Sequence, residues 1–543
     1  MKRRAIASGA LAGLLISLPV LAILAVGQQL MKLPFVPFDL FDWMARVLPG
    51  GLIRATIAFM VNVIGGLQLG PTDTTAKLLE QAIAVVQFIV SGMLFGIILN
   101  LIGTRPGKID AADRLPRDGA LGGAVIAVAI LLIEASLGVG PAGVWLSILW
   151  VMVVFVGSGY AIGWWLQRNR RVVAPIDGQA LTRRQFLLRT GAASIAITLS
   201  GLGLTWLLSP HETTVASAPT PTTGPAPQQG PITPGVAAAP PPATLSARIA
   251  PAPGTRPEIT SNADFYRIDI NALPPRVAAD TWHLQIDGLV DKPLRLSLDG
   301  IRARPAVSQV MTLECISNPV GGDLTSTAQI VGIPFKTILA EAGLQPTARS
   351  AYITSTDGYY ETVVMSDMQD ERTLLVYEMN GEPLPVEHGF PLRIYIPNRF
   401  GMKQPKWIEH IELVDREQPG YWVVRGWDNA AIPPTTSVID PIDTAAAKNS
   451  DTLPIGGIAY AGARGLSRVE VSVDGGVWTN AQLRVPPLSM LTWVQWRYDW
   501  PIQPGQHTFQ VRAYDGTGQL QITTPRDPFP TGATGIYART VEI

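Results

Sequence analysis

Cys315 is the only cysteine among 543 residues. An apolar, strand-like run beginning at Val310 delivers it into a loop rich in Asn, Gly, Ser and Thr. A lone cysteine forms no intramolecular disulfide, so its chemistry is one of two kinds. It is a buried, inert thiol, or it is a soft metal ligand and nucleophile. Asn318 and Asp323 flank the same loop; either orients the thiolate or stabilises the Gly321-Gly322 turn.

The elements that must carry this loop divide by composition. The chain is 47% hydrophobic and 15% charged, with 42 basic and 42 acidic residues. That balance gives no basic footprint for a nucleic-acid partner, and the apolar excess points to membrane segments. Apolar runs at 5–26, 81–103, 119–139, 143–166 and 186–208 each approach the ~20 residues a bilayer core requires. The expected membrane domain therefore covers 1–208 with about five spans. Segment 51–70 carries Arg54, Asn62 and Gln68. With an aromatic, proline-containing stretch before it, it reads as an interfacial piece near 34–70. Basic clusters at Lys2 to Arg4, Arg105 to Arg117 and Arg168 to Arg184 should face the cytoplasm. Only an even number of crossings between the first two satisfies that rule, which places the C-terminal half outside the cytoplasm. Six spans with the N-terminus outside would strand Lys2, Arg3 and Arg4 on the wrong face.

The run Thr182-Arg183-Arg184-Gln185-Phe186-Leu187 precedes the last span and resembles a twin-arginine export signal, placed internally. The bland alternative is a pair of arginines anchoring a helix end. None of the five histidines (His211, His283, His388, His410, His507) lies in a span, so no membrane haem held by two histidines is expected on this chain. Residues 209–257 are rich in Pro, Ala, Thr and Gly and read as an extended tether.

Beyond the tether, period-two alternation at 282–290, 350–365, 391–398 and 407–415 predicts strands, and 334–344 predicts a short helix. Residues 258–430 thus read as an α+β domain. From 435 to 543 nearly every run is strand-like, with turns at Asp474-Gly475-Gly476 and Asp515-Gly516. Length and pattern suit an immunoglobulin-like sandwich lacking its usual disulfide.

Three ordered motifs give the globular half a family likeness. The first is Thr312-Leu313-Glu314-Cys315 followed by Asn318. The second is Tyr377 to Pro385 running into His388-Gly389-Phe390-Pro391-Leu392-Arg393. The third is Pro397, Gly401 and Lys403, then Lys406-Trp407-Ile408. Residues 262–543 resemble the sulfite oxidase family of molybdenum enzymes, in both its molybdopterin-binding and its dimerisation domain. The resemblance implies that Cys315 ligates molybdenum. It also implies that Asn318, His388, Arg393, Lys403 and Lys406 bind the molybdenum-molybdopterin cofactor. One of Tyr359 and Tyr360 would be an active-site tyrosine, the other packing. Taken singly, His388 beside a glycine reads as a turn residue, and Lys406 beside Trp407 as an ordinary exposed lysine. The pterin's anionic phosphate needs cationic and hydrogen-bonding partners, which is the role the likeness gives the set.

Two departures bear on the substrate. Pro319 and Val320 stand where sulfite-oxidising members tend to carry basic residues. There is also no cytochrome b5-like module and no CxxCH haem site. The expected protein is a multi-pass cell-membrane oxidoreductase with an extracytoplasmic catalytic half. It would move an oxygen atom or two electrons to or from a small-molecule substrate. Its expected partners are membrane lipid, a separate electron carrier or quinone, and a second copy through the C-terminal domain. A sulfoxide repair reductase on the same fold is one rival reading. A non-catalytic envelope binding protein, with Cys315 as a core thiol, is the other.

Overall fold

The computed structural model describes residues 2–67, 69–103, 113–137, 143–171, 183–208, 249–445 and 451–543. Most of the expected tether, Thr182 of the arginine motif and much of the second and third basic clusters lie outside these residues.

Seven helices precede the globular half: α1 (Lys2–Met31), α2 (Val36–Val47), α3 (Gly50–Leu67), α4 (Thr72–Ile102), α5 (Leu115–Leu137), α6 (Val144–Arg171) and α7 (Arg183–Leu208). Five of them (α1, α4, α5, α6 and α7) are long and apolar enough to cross a bilayer. The α2–α3 pair makes a sixth candidate only if it counts as one broken span, bent by 119°.

The chain forms two compact units. The first holds α1, α5, α6, α7 and the second half of α4. Its helices cross at small residues: a Cβ on Gly13 would lie 2.1 Å from the carbonyl oxygen of Gly92, so only glycine permits that approach. Ser194 Oγ donates to the Leu15 carbonyl at 2.7 Å, tying α7 to α1.

The second unit holds residues 248–543 together with Pro37–Gln87 and the short piece 135–137. Segment 37–87 therefore belongs with the globular half. The polar ties that hold it there are described below.

The globular part begins with two mixed layers. One sheet runs in the order β2 (Leu294–Ser297), β1 (His283–Gly288), β10 (Ile408–Val414), β5 (Ser350–Ser355), β6 (Tyr360–Val364). The other runs β3 (Val307–Glu314), β4 (Thr325–Pro334), β7 (Leu374–Met379), β8 (Glu382–Pro383), with β9 (Arg393–Tyr395) also on β7. Short helices α8 (Leu298–Arg302) and α9 (Phe335–Ala342) fill between them. Both sheets feed one core, in which Leu284, Ile286, Ile333, Phe335, Ile353, Leu375, Ile394 and Ile411 are fully buried. Such burial stabilises by roughly 1.5–3 kcal/mol per large side chain. β1 and β10 pair in parallel although more than 100 residues separate them, so the sheet closes only after the cofactor-type motifs between them are threaded.

The C-terminal part is two four-stranded antiparallel sheets. One is ordered β11 (Thr436–Ile439), β12 (Thr452–Tyr460), β16 (Val494–Pro501), β15 (Gln482–Leu483). The other is β14 (Thr479–Asn480), β13 (Leu466–Val473), β17 (Gln506–Asp515), β18 (Tyr537–Glu542). β17 alternates buried and exposed residues along nearly its whole length. Ile455, Trp496, Val471 and Phe509, from both sheets, share one core.

Candidate functional site

β3 and β4 are antiparallel neighbours in register from Val307↔Gly332 to Glu314↔Thr325, and the loop between them carries Cys315. The Cys315 amide donates to the Leu324 carbonyl at 2.9 Å, and the Asn318 amide donates to the Cys315 carbonyl at 3.0 Å. Asn318 then staples the loop internally. Its Nδ2 donates to Glu314 Oε1 at 3.0 Å, and its Oδ1 accepts the Leu324 amide at 3.0 Å. Gly321 takes φ +83°, and a Cβ there would meet the Tyr537 ring at 2.0 Å, so the turn requires glycine. The thiol is partly buried and lies 3.1 Å from Ser317 Oγ. Burial raises its pKa above the ordinary cysteine value. Burial likewise pushes the neighbouring Glu314 carboxyl up to about 7.

Cys315 opens into a cavity of about 410 Å³. His388, Arg393 and Lys406 line the same cavity. Arg393 opens β9 at 5% exposure, and one of its Nη atoms donates to the His388 carbonyl at 3.2 Å. Its Nε has no partner among the described residues. Burial lowers the guanidinium pKa to about 10, which leaves it charged at neutral pH. His388 Nε2 contacts the Asn262 carbonyl at 2.9 Å, and burial lowers its pKa to about 4, so it is neutral. Lys406 forms an ion pair with Asp269, donates to the Glu387 carbonyl at 3.0 Å, and lies over the Trp407 ring at 4.4 Å. Burial lowers its pKa, while Asp269 works in the opposite direction. Asp269 is 1% exposed; burial alone would raise its pKa, but Lys406, Lys77 and Arg267 together hold it below the usual carboxylate value.

Tyr359 also reaches the cavity, with its hydroxyl donating to the Met402 carbonyl at 2.6 Å. Three residues expected at the site, Tyr360, Lys403 and Asn318, do not line this cavity. Tyr360 packs against Tyr352 and Tyr421 and does not line the cavity. Lys403 is buried, and its ammonium is taken up by Glu361 Oε1 at 2.8 Å, the Thr362 carbonyl at 3.0 Å and Asn429 Oδ1 at 2.8 Å. A Lys ammonium has three donors, and all three are used inside the fold. Asn318 braces the loop as described. Asp323 braces it from outside, since Oδ2 accepts the Thr72 amide at 2.8 Å.

That last bond belongs to a set that hydropathy does not reveal. Lys77, near the start of α4, donates to the carbonyls of Asp269 at 2.9 Å and Asn271 at 3.1 Å, and pairs with Glu80 at 2.7 Å. Asp42 Oδ1 accepts the Ala272 amide at 2.9 Å. Arg46 donates to the Asp357 carbonyl at 2.8 Å, and Asp73 accepts the Arg267 amide at 2.8 Å. Charged residues spaced along an apolar stretch were the available signal; their partners lie about 190 or more positions away. The apolar wall of the cavity, from Phe41 and Met44 to Met60 and Val61, comes from the same segment.

The cavity suits an anionic, metal-bearing organic group. A buried cation with an unpartnered donor faces it, with a second cation and a neutral imidazole alongside. Among the described residues no cluster of three His, Cys, Asp or Glu could hold an ion by itself. One soft thiolate donor suits a metal that arrives with most of its ligands already attached.

Comparison with known proteins agrees with this chemistry. Residues 271–422 match the oxidoreductase molybdopterin binding domain, and residues 423–528 the Mo-co oxidoreductase dimerisation domain. Mitochondrial sulfite oxidase of Macaca fascicularis is 28% identical over 319 residues, covering 49% of this chain and 58% of that protein. The uncharacterized oxidoreductase YuiH of Bacillus subtilis is 32% identical over 146 residues, 27% of this chain and 72% of that protein. The sulfane dehydrogenase SoxCD of Paracoccus pantotrophus superposes at a TM-score of 0.48 with 23% identity, over 53% of this chain and 82% of that one. This chain thus spans little more than half the length of the mitochondrial relative. With the Cys315 loop, the cation wall and both matched domains in chain order, it belongs to the sulfite oxidase family of molybdopterin-dependent oxidoreductases.

Proposed function

We propose that this chain is a membrane-anchored molybdenum oxidoreductase whose catalytic half lies outside the cytoplasm. It would exchange an oxygen atom or two electrons with a small substrate and pass electrons to or from a separate carrier or quinone. The observation that carries this reading is the convergence of Cys315, Arg393, His388 and Lys406 on one cavity. Arg393 and Lys406 would hold the pterin's anionic end, His388 would accept or donate a hydrogen bond as a neutral ring, and Cys315 would ligate the metal. When bound, the group supplies a two-electron couple able to accept or release oxygen. The chain's own part is to orient that group, shield it from water and position Tyr359 beside the substrate. Tyr359 is locked onto Met402 and burial holds its pKa well above the ordinary value, so it acts as a neutral hydrogen-bonding wall and not as a phenolate.

Substrate charge follows from the lining. Four carboxylates (Asp73, Glu80, Asp269, Asp357) face three cations (Lys77, Arg393, Lys406). Once the cations are committed to the cofactor and to their own carboxylates, little positive charge is left for a dianion such as sulfite. An uncharged substrate fits better, which favours the sulfoxide reductase reading among the alternatives. The β-rich C-terminal domain, matched to a dimerisation family, supports a homodimer and an immunoglobulin-like sandwich. The arginine motif before α7 supports export of the folded, loaded protein.

Elemental analysis of protein from a host competent for cofactor synthesis tests the proposal. The expected result is about one molybdenum per chain, lost in Cys315→Ser, as one thiolate ligand requires. Folded wild-type protein free of molybdenum would sink it and leave the envelope-binding reading.

A further inference from the structure

Part of the lining of the Cys315 cavity is apolar and comes from the helices that precede the globular half. Ile53, Ile57, Met60 and Val61 line it from α3 at the spacing of one helix face. α3 also carries Arg54 and Asn62, but Phe59 and Leu67, which do not line the cavity, are large apolar side chains 68% and 66% exposed. Large apolar side chains left exposed together mark a surface that meets lipid or a partner. If the membrane reading above holds, the outer side of α3 meets lipid while its inner side walls the Cys315 cavity. Leu52 lines the cavity and is still 53% exposed, so the apolar wall runs out to the surface beside the lipid-facing side chains. Phe41 and Met44 of α2, and Trp422 and Trp427, continue the wall inward. Polar ties anchor this segment onto the catalytic unit at Asp42, Arg46 and Lys77, so the wall is a built part of that unit.

From this geometry we infer that the apolar arm of the cavity binds an alkyl-tailed quinone or quinol from the lipid phase, tail along α3 and ring toward Cys315. The inference rests on the oxidoreductase reading and assigns its electron partner a place. A quinone matches the demands of the site on two counts. It is a lipid-soluble carrier of two electrons and two protons, the same stoichiometry as one oxygen-atom transfer. Its uncharged ring also suits a cavity without surplus cations. With the quinone as oxidant, substrate gains one oxygen atom from water; the two protons and two electrons released convert the quinone carbonyls to the quinol hydroxyls. In the opposite direction, quinol gives up two electrons and two protons, and a sulfoxide oxygen leaves as water.

The full chain in lipid nanodiscs, loaded with molybdenum, provides the test. A radiolabelled benzoquinone with a decyl tail and its tail-less counterpart are titrated against wild type, Ile57→Asp and Ile57→Ala, with metal content measured on every sample. With binding to empty nanodiscs subtracted, the tailed probe, concentrated in the lipid, should occupy the arm at a total concentration about tenfold or more below that of the tail-less one. That preference should disappear in Ile57→Asp and shrink in Ile57→Ala at unchanged molybdenum content. Equal affinity for the two probes in wild type overturns the inference, as does an Ile57→Asp variant that binds like wild type. A decyl sulfoxide that competes where the quinone fails to bind also overturns it, making the arm a substrate site. Absence of molybdenum in every sample strikes the enzyme reading instead, so the two failures are separable.

Discussion

The two walls of the Cys315 cavity are built in opposite ways. The thiol wall is mainly local: the bonds among Glu314, Cys315, Asn318 and Leu324 span at most about ten residues, Asn318 side-chain atoms make two of them, and the tie from Asp323 to Thr72 is the distant one described above. The cation wall is assembled from afar. His388 meets Asn262, Lys406 meets Asp269, and Asp269 is gripped in turn by Lys77 of α4, each over more than 100 positions. A local loop tolerates distant damage, whereas a wall with distant supports inherits the stability of each of them. The comparison therefore predicts that mutation of Lys77 in α4 loosens the cation wall and leaves the Cys315–Asn318–Leu324 bonds of the thiol wall intact.

The largest effect is expected at Asp269, the hub of the cation wall. It is buried and pairs with both Lys406 and Arg267. Asp269→Ala leaves two poorly solvated cations without their counter-ion, a loss of about 3–5 kcal/mol. Chemical denaturation should show it, with cofactor content falling in parallel. A variant that unfolds at the wild-type denaturant concentration would show the hub to be dispensable. Next comes Lys77→Met, which strips hydrogen bonds from the carbonyls of Asp269 and Asn271 and leaves Glu80 without its cation. The expected loss is about 1–3 kcal/mol. Hydrogen exchange should quicken over 266–272 and remain unchanged over 315–324; equal quickening of both segments would refute the division into local and distant walls.

Legibility in the sequence follows the same division. The thiol loop was readable because strand, thiol, Asn and paired Gly sit together, and β3 and β4 close it as the pattern implies. Alternation located β1 and β10, whose buried residues fall mainly on one face, and also β5 and β6, although β6 buries Glu361, Thr362 and Val363 in succession. It did not single out β8, two residues long, or β18, whose alternating exposure follows no simple apolar period. Lys403 and Lys406 show where motif reading stops. They are three positions apart in one motif, yet the turn at Gly401–Lys403 sends the first inward to Glu361, and the chain then brings the second to Asp269. Tyr359 and Tyr360 both pack on Tyr421, but only Tyr359, in the turn before β6, carries its hydroxyl to Met402 and lines the cavity. Hydropathy and the polar residues Arg54, Asn62 and Gln68 marked an interfacial piece near 34–70; that Asp42, Arg46 and Lys77 fix where segment 37–87 docks was not legible, because pairing across hundreds of residues leaves no period to detect.

On the thiol wall the sharpest test is Asn318→Ala. It leaves the buried Leu324 amide without its side-chain acceptor and Glu314 Oε1 without its donor. The cost should be about 1–2 kcal/mol, with exchange quickened over 315–324 alone. Combined with Lys77→Met, the two losses should add within about 0.5 kcal/mol, because the Asn318 and Lys77 side chains share no hydrogen-bond partner. A larger coupling would mean that the cavity behaves as one cooperative element.

The smallest effect isolates His388. Its folded pKa is about 4, against about 6.5 in an unfolded chain. Between these values the unfolded state binds more protons, so stability falls on acidification through that window and levels off below about 4. Going from pH 6.5 to 5.5 should cost about 1 kcal/mol from this residue alone. Glu314, raised to about 7, has the opposite slope, losing stability as pH rises from about 4.5 to 7. The useful quantity is therefore the difference between wild type and His388→Leu, in which the Glu314 contribution cancels. Denaturation midpoints of both proteins across pH 4 to 7 should diverge only through the histidine. Parallel curves would mean that His388 keeps its ordinary pKa in the fold, and divergence of the opposite sign would mean that the ring is held charged there.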